Sequence, residues 1–187
     1  RNDPDNIFAQ TCYKHTLISE IGMLNHADHI VTLSPVDKRK LEENGVTKPI
    51  TASFAVVNTG TDHEVVPFSE KTLSFVGPDN NQPNVVGLKW FLDNCWEKLK
   101  AQEPAYRLKV IGRWNEAHIE DILSCYPDVE FVGFVDSLYD ALKGTTMIVP
   151  ITIGSGIRMK ILEAAGMGVP FVSTSVGAEG IPLSDGK

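Results

Sequence analysis

The stretch "GSGIRMKILEAAGMGVP", residues 154–170, sets a glycine-flanked serine in front of a segment that carries Arg158, Lys160 and Glu163 within two turns. The apolar run "TTMIVPI" (145–151) stands before it, and "PFVSTS" (170–175) follows. The order reads strand, glycine loop, helix, strand. A helix that only packs needs neither so permissive a loop nor both charge signs near its start. Gly154 and Gly156 allow backbone conformations and close approach that a side chain forbids. A helix N-terminus offers unpaired N–H groups and the positive end of its dipole. The loop therefore suits an anionic ligand.

Working outward, the same alternation continues. "TLSFVG" (72–77), "YRLKVIG" (106–112) and "VEFVGFV" (129–135) read as strands. Between them, "NVVGLKWFLDNCWEKLK" (84–100) spaces Val85, Leu88, Phe91, Leu92, Cys95, Trp96 and Leu99 at helical intervals. Asn84 is its expected N-cap, with Pro83 before it. "EAHIEDILSCY" (116–126) is a second helix, and a short one is expected near Ser137–Lys143. Five strands alternating with helices predict right-handed crossovers, hence a Rossmann-like parallel sheet with helices on both faces. In such sheets ligands bind beyond the carboxyl ends of the strands, where Gly77, Gly112, Gly133, Gly154–Gly156 and Gly177–Gly180 all fall.

The first 70 residues differ. "HTLISEIGMLNHA" (15–27) and "PVDKRKLEENG" (35–45) look helical; "DHIVTLS" (28–34) and "ITASFAVVNTGTD" (50–62) look like strands. This partial α/β segment is too short for a full layer. It is expected to be the tail of a preceding domain, with a linker near Asn58–Pro67, in a chain that is itself a fragment.

Composition narrows the partners. The 187 residues are 42% hydrophobic and carry a net charge of −7, which argues against a nucleic-acid or anionic-membrane surface. Cys12, Cys95 and Cys125 are odd in number and form no CxxC pair, fitting reduced thiols and a cytoplasmic location. No apolar run approaches the roughly 20 residues of a membrane span, and no signal peptide is visible.

Glu163 sharpens the chemistry. Beside a phosphate alone a carboxylate is a liability, but it can accept two hydrogen bonds from adjacent ribose hydroxyls. Arg158 and Lys160 with one carboxylate point to a nucleotide rather than bare phosphate. The plainer alternative is a surface turn in which Lys160 and Glu163 form a solvent salt bridge at i, i+3. His15, His26, His29, His63 and His118 find no completed metal set, so no metal is expected. Surface or core positions suit all five. Trp114 is a candidate for a cleft rim.

The segment "IVPITIGSGIRMKILEAAGMGVPFVSTSVGAEGI" resembles the signature of the retaining glycosyltransferases of family 4 (glycosyl transferases group 1), which have the GT-B fold. "FVGPDNNQPNVVGLKWFLDNCW" is similar to the first strand and helix of the donor domain in a polysaccharide-biosynthesis branch. "ADHIVTLSPVDKRKL" and "AVVNTGTD" resemble the end of the partner domain and the hinge. The resemblance implies residues 1–66 as the end of the acceptor-side domain with the hinge, and 67–187 as a nucleotide-sugar-binding domain truncated at its C-terminus. It implies that Glu163 holds the ribose, that Arg158 and Lys160 flank the diphosphate, and that Gly154, Ser155 and Gly156 present backbone N–H groups to the donor. Phe134 and Val135 match the loop whose backbone reads the base.

Two departures stand out. Many members carry a second glutamate where Ser155 stands here. The Arg and Lys that usually follow the first strand are replaced by "GPDNNQPN". Arg113 is a compensating candidate, although a solvated loop cation is the simpler reading. No catalytic residue is assigned. The implied activity is transfer of a sugar from a nucleotide diphosphate sugar to a glycan or lipid-linked acceptor without a cofactor, and it leaves room for peripheral membrane association of a full-length enzyme. A nucleotide-binding module inactive alone and a GT-B sugar-nucleotide epimerase are the alternatives. A nicotinamide dehydrogenase is disfavoured, because no G-x-G-x-x-G follows the first strand.

Overall fold

The computed structural model of the chain describes residues 6–57 and 71–183. The expected linker near Asn58–Pro67, together with His63, lies outside the described residues. The chain divides into two compact units, residues 1–55 with 179–187 and residues 56–178.

In the first unit, helix α1 (Ile7–Leu24) begins further upstream than its apolar spacing suggested, because Asn6 caps it by accepting from the Ala9 N–H at 2.9 Å. Strands β1 (Ile30–Thr32) and β2 (Ile50–Ala52) pair in parallel around helix α2 (Pro35–Glu43). Ser34 caps α2 by accepting from the Asp37 N–H at 3.0 Å, and Pro35 fits the first turn. Ile30, Val46 and Ile50 form a small core, with Ile21, Leu24, Ala27 and Leu41 against it.

The second unit is a five-stranded, all-parallel sheet. In chain order its strands are β3 (Thr72–Val76), β4 (Arg107–Ile111), β5 (Val129–Gly133), β6 (Thr146–Val149) and β7 (Phe171–Ser173). Their spatial order is β5-β4-β3-β6-β7. Phe75 of β3 is in register with Val110 on one side and Ile148 on the other. The sheet is flanked by helices, as expected. One face packs Leu73, Phe75, Leu108, Val110 and Ile148 against Leu88, Phe91, Leu92 and Trp96. Strand alternation turns Met147 and Val149 to the opposite face, where right-handed crossovers carry helices α6 (Leu138–Leu142) and α7 (Met159–Gly166). Ile161 and Ala164 of α7 are fully buried there.

The helix expected over 84–100 is not continuous. It is α3 (Gln82–Phe91), a π-helical turn over Leu92–Trp96, and α4 (Glu97–Gln102). Leu92 and Trp96, four apart, are both fully buried, and the widened turn accommodates that double burial. Trp96 Nε1 donates to Asp128 Oδ1 at 3.3 Å. The N-cap of α3 is Asn81, not Asn84. Helix α5 (Glu116–Cys125) is capped by Asn115. No helix among the described residues is long and apolar enough to cross a membrane.

Candidate functional site

The strand order reverses direction between β3 and β6: the chain leaves β3 for β4 on one side and later returns to β6 on the other. In doubly wound sheets the loops leaving the strands on either side of such a reversal diverge, and ligands bind at the carboxyl edge between them. The loop after β3 (77–81) and the glycine loop before α7 border this switch point.

Gly154 and Gly156 adopt φ of +102° and +87°, the left-handed region that favours glycine. A Cβ on Gly154 would also stand 2.8 Å from the Arg158 guanidinium. That guanidinium braces the loop: Nη1 donates to the Ser155 carbonyl at 3.1 Å and Nη2 to the Ile153 carbonyl at 3.4 Å. Arg158 is thus partly committed to shaping the loop, where sequence reasoning expected a cation free to face a ligand. Its Nε is buried without a hydrogen-bond partner among the described residues. Ser155 is exposed. Helix α7 then starts with no side-chain cap; the Ile161 N–H turns back to the Arg158 carbonyl at 2.9 Å, and the Met159 and Lys160 N–H groups at the helix start are the ones left for a ligand.

Lys160, in the first turn of α7, does not pair with Glu163. Its ammonium crosses to the end of β3, where it donates to the Val76 carbonyl and, at 3.0 Å, to Asn84 Oδ1. The ring of Phe75 lies 5.1 Å from Nζ. Burial lowers the Lys160 pKa to about 8; the neighbouring Arg158 charge adds to the effect and Glu163 opposes it. A buried ammonium with three donors and two protein acceptors retains one N–H for a further anion. Glu163 is half-buried, and among the described residues its carboxylate has no hydrogen-bond or ion-pair partner. The simple salt-bridge reading of this pair therefore fails.

Phe134 and Val135 leave β5, three strand positions from β6. At about 4.8 Å per strand that is roughly 14 Å from the glycine loop, so only an elongated ligand could touch both. A register shift in the β4–β5 ladder sets Ile111 opposite Gly133 and re-aims the exit of β5. Phe134 is 64% exposed, and the Arg113 guanidinium stacks over its ring at 4.8 Å. Arg113 is thus an exposed loop cation, but one ordered by an aromatic face.

One constellation was not legible in the sequence. Asp79, in the loop after β3, accepts from the Asn115 N–H at 2.8 Å, from Asn115 Nδ2 at 2.5 Å, and from His118 Nδ1 at 2.9 Å. The Asn115 backbone donor and the His118 ring hold its carboxyl below the usual carboxylate range. Trp114 Nε1 donates to the Gly77 carbonyl at 2.9 Å while its ring packs edge-on against Phe75 and Phe131. Trp114 therefore props the loop from beneath rather than lining an open rim. Residues 36 to 39 positions apart meet here, and no local pattern announces such a meeting. Among the described residues no cluster of His, Cys, Asp and Glu could hold a metal ion.

This architecture is shared. Solved structures with the same fold include a point variant of S. aureus TarM in complex with fondaparinux, α-GlcNAc-glycerol and UDP, at TM-score 0.71 and 13% identity, covering 88% of this chain and 34% of that one. A second structure of TarM aligns at TM-score 0.65 and 12% identity, covering 89% and 34%. The pneumococcal O-GlcNAc transferase GtfA, in complex with UDP and GlcNAc, aligns at TM-score 0.62 and 12% identity, covering 90% and 34%. The chain spans about a third of the length of these structures. No curated protein sequence matches it. The family profile described as "Glycosyl transferases group 1" matches residues 70–186, more than half of the chain. With its GT-B-like Rossmann sheet, the chain belongs to the glycosyl transferases group 1 family.

Proposed function

We propose that the chain supplies the donor-binding part of a retaining glycosyltransferase, which moves a sugar from a nucleotide diphosphate sugar to a glycan or lipid-linked acceptor. In this reading 67–187 is the donor domain and 1–66 the end of the acceptor-side domain with its hinge. The observation that carries the reading is the Lys160 ammonium, buried at the switch point beside an uncapped helix start and a glycine loop. A diphosphate laid there receives backbone N–H groups from α7 and one full charge from Lys160. As it departs it gains negative charge, which these fixed donors stabilise without a metal. The unpartnered Glu163 is free to take both ribose hydroxyls. A base extended toward β5 would reach Phe134 and Val135, where the Arg113–Phe134 stack offers a flat face.

Calorimetry with UDP, GDP and ADP tests the reading, and UDP comes first because TarM and GtfA were solved with it. A bound nucleotide should stabilise the chain by about 2.7 kcal/mol at a hundredfold excess over its dissociation constant. No heat and no stabilisation with any of the three would reject the site. Glu163→Gln should then cost about 1–3 kcal/mol of nucleotide affinity. Pyrophosphate, which has no ribose, should bind the variant and the parent equally. Equal loss for both ligands would make Glu163 structural.

A further inference from the structure

Asn84 stands on the apolar stripe of α3, one and two turns before Leu88 and Phe91, and is only 3% exposed. An amide buried there is costly unless both of its ends are paired. Both are. Nδ2 donates to the Pro78 carbonyl at 2.9 Å, and Oδ1 accepts from Lys160 Nζ at 3.0 Å. The orientation is fixed by chemistry, since an ammonium cannot accept and a carbonyl cannot donate. Gly77 makes room for this amide: a Cβ there would fall 2.5 Å from Asn84 Nδ2. The exit of β3, the first turn of α3 and the first turn of α7 all converge on one side chain.

The acceptor is neutral, and that is its significance. A carboxylate in the same place would hold Lys160 equally well but cancel its charge. Asn84 and the Val76 carbonyl fix the ammonium through two N–H groups and leave the charge and the third N–H unclaimed. From the donor-site reading above, on which this step rests, we infer that Asn84 is a positioning residue that aims the Lys160 ammonium at the diphosphate of the donor.

The titratable groups that act on Lys160 are Arg158 and Glu163, both from its own segment. From β3 and α3 it meets only the Phe75 ring, the Val76 carbonyl and the Asn84 amide, none of which titrates.

The test follows the Lys160 side chain by NMR of lysine-labelled, ligand-free protein, its resonance assigned by its loss in Lys160→Met, through a pH titration. Calorimetry with UDP at about pH 7 accompanies it. Asn84→Asp should raise the titration midpoint of Lys160 by about one to three pH units, since an opposite charge would then sit at hydrogen-bond distance. It should also weaken UDP binding roughly tenfold or more. Asn84→Ala, which removes the acceptor, should move the midpoint downward, so either variant decides the matter if the other does not fold. An unmoved midpoint in a folded variant overturns the inference, even where the parent chain binds UDP. A moved midpoint in a chain that binds none of UDP, GDP and ADP rejects the donor-site reading instead, and with it any role for Asn84 toward a donor.

Discussion

Lys160→Met should weaken UDP binding by about 2–5 kcal/mol while changing folding stability far less. The two effects separate because holding a charged ammonium in this place comes at some expense to the fold. Its pKa in the folded chain is about 8, below the ordinary 10.5, chiefly because burial disfavours the charged form. Methionine fills similar space without that desolvation, although it leaves the Asn84 carbonyl short of one donor. The sign against pH follows from proton counting. Between pH 8 and 10.5 the unfolded chain binds more protons at this lysine than the folded one, so its contribution to stability rises with pH across that window. The methionine variant should lack that rise, and the binding deficit should shrink above pH 8 as the parent itself loses the charge. Denaturant unfolding and UDP calorimetry, each run on both sides of pH 8, check all three statements. A variant that binds UDP as tightly as the parent at neutral pH would remove Lys160 from the site.

The sheet was readable because its signals are local and redundant. Phe75, Val110 and Ile148 each sit in a short β-branched or aromatic run ended by glycine or proline, and the parallel sheet brings the three into one layer. The glycine loop was readable for a similar reason, since Gly154 and Gly156 need backbone conformations that few residues tolerate. What failed was everything decided by tertiary partners. Asn84 carries the features of a helix cap in sequence, yet Asn81 begins the helix and Asn84 turns inward to meet a lysine 76 positions away. A trace of this was present: an asparagine one turn before Leu88 lies on the buried stripe, where a polar residue needs a partner. Arg158 and Lys160 were equally ambiguous, because a charged side chain announces its sign but not its direction. The first braces the loop, and the second reaches into the switch point. The π-helical turn at Leu92–Trp96 had no signal beyond an apolar face slightly too wide for one stripe.

The 187-residue chain tested alone should bind nucleotide and yet show no acceptor-dependent sugar transfer. In GT-B enzymes the acceptor site is built mostly by the partner domain, and the first unit here contributes a two-stranded sheet and two helices among the described residues. Positioning an acceptor against the donor is worth about 7–11 kcal/mol of the barrier, and in this reading that help comes from the acceptor-side domain. The donor-side charges are weakened as well. A diphosphate lying along the carboxyl edge of a single sheet stays in contact with water, where Lys160 and the α7 N-terminus act through a high dielectric. The expected outcome is nucleotide binding with, at most, slow hydrolysis of the donor. Incubating the chain with labelled sugar nucleotides and a panel of saccharide and lipid-linked acceptors checks it. Robust transfer would mean that residues 1–66 already complete an acceptor site, and the division of labour proposed here would have to be redrawn.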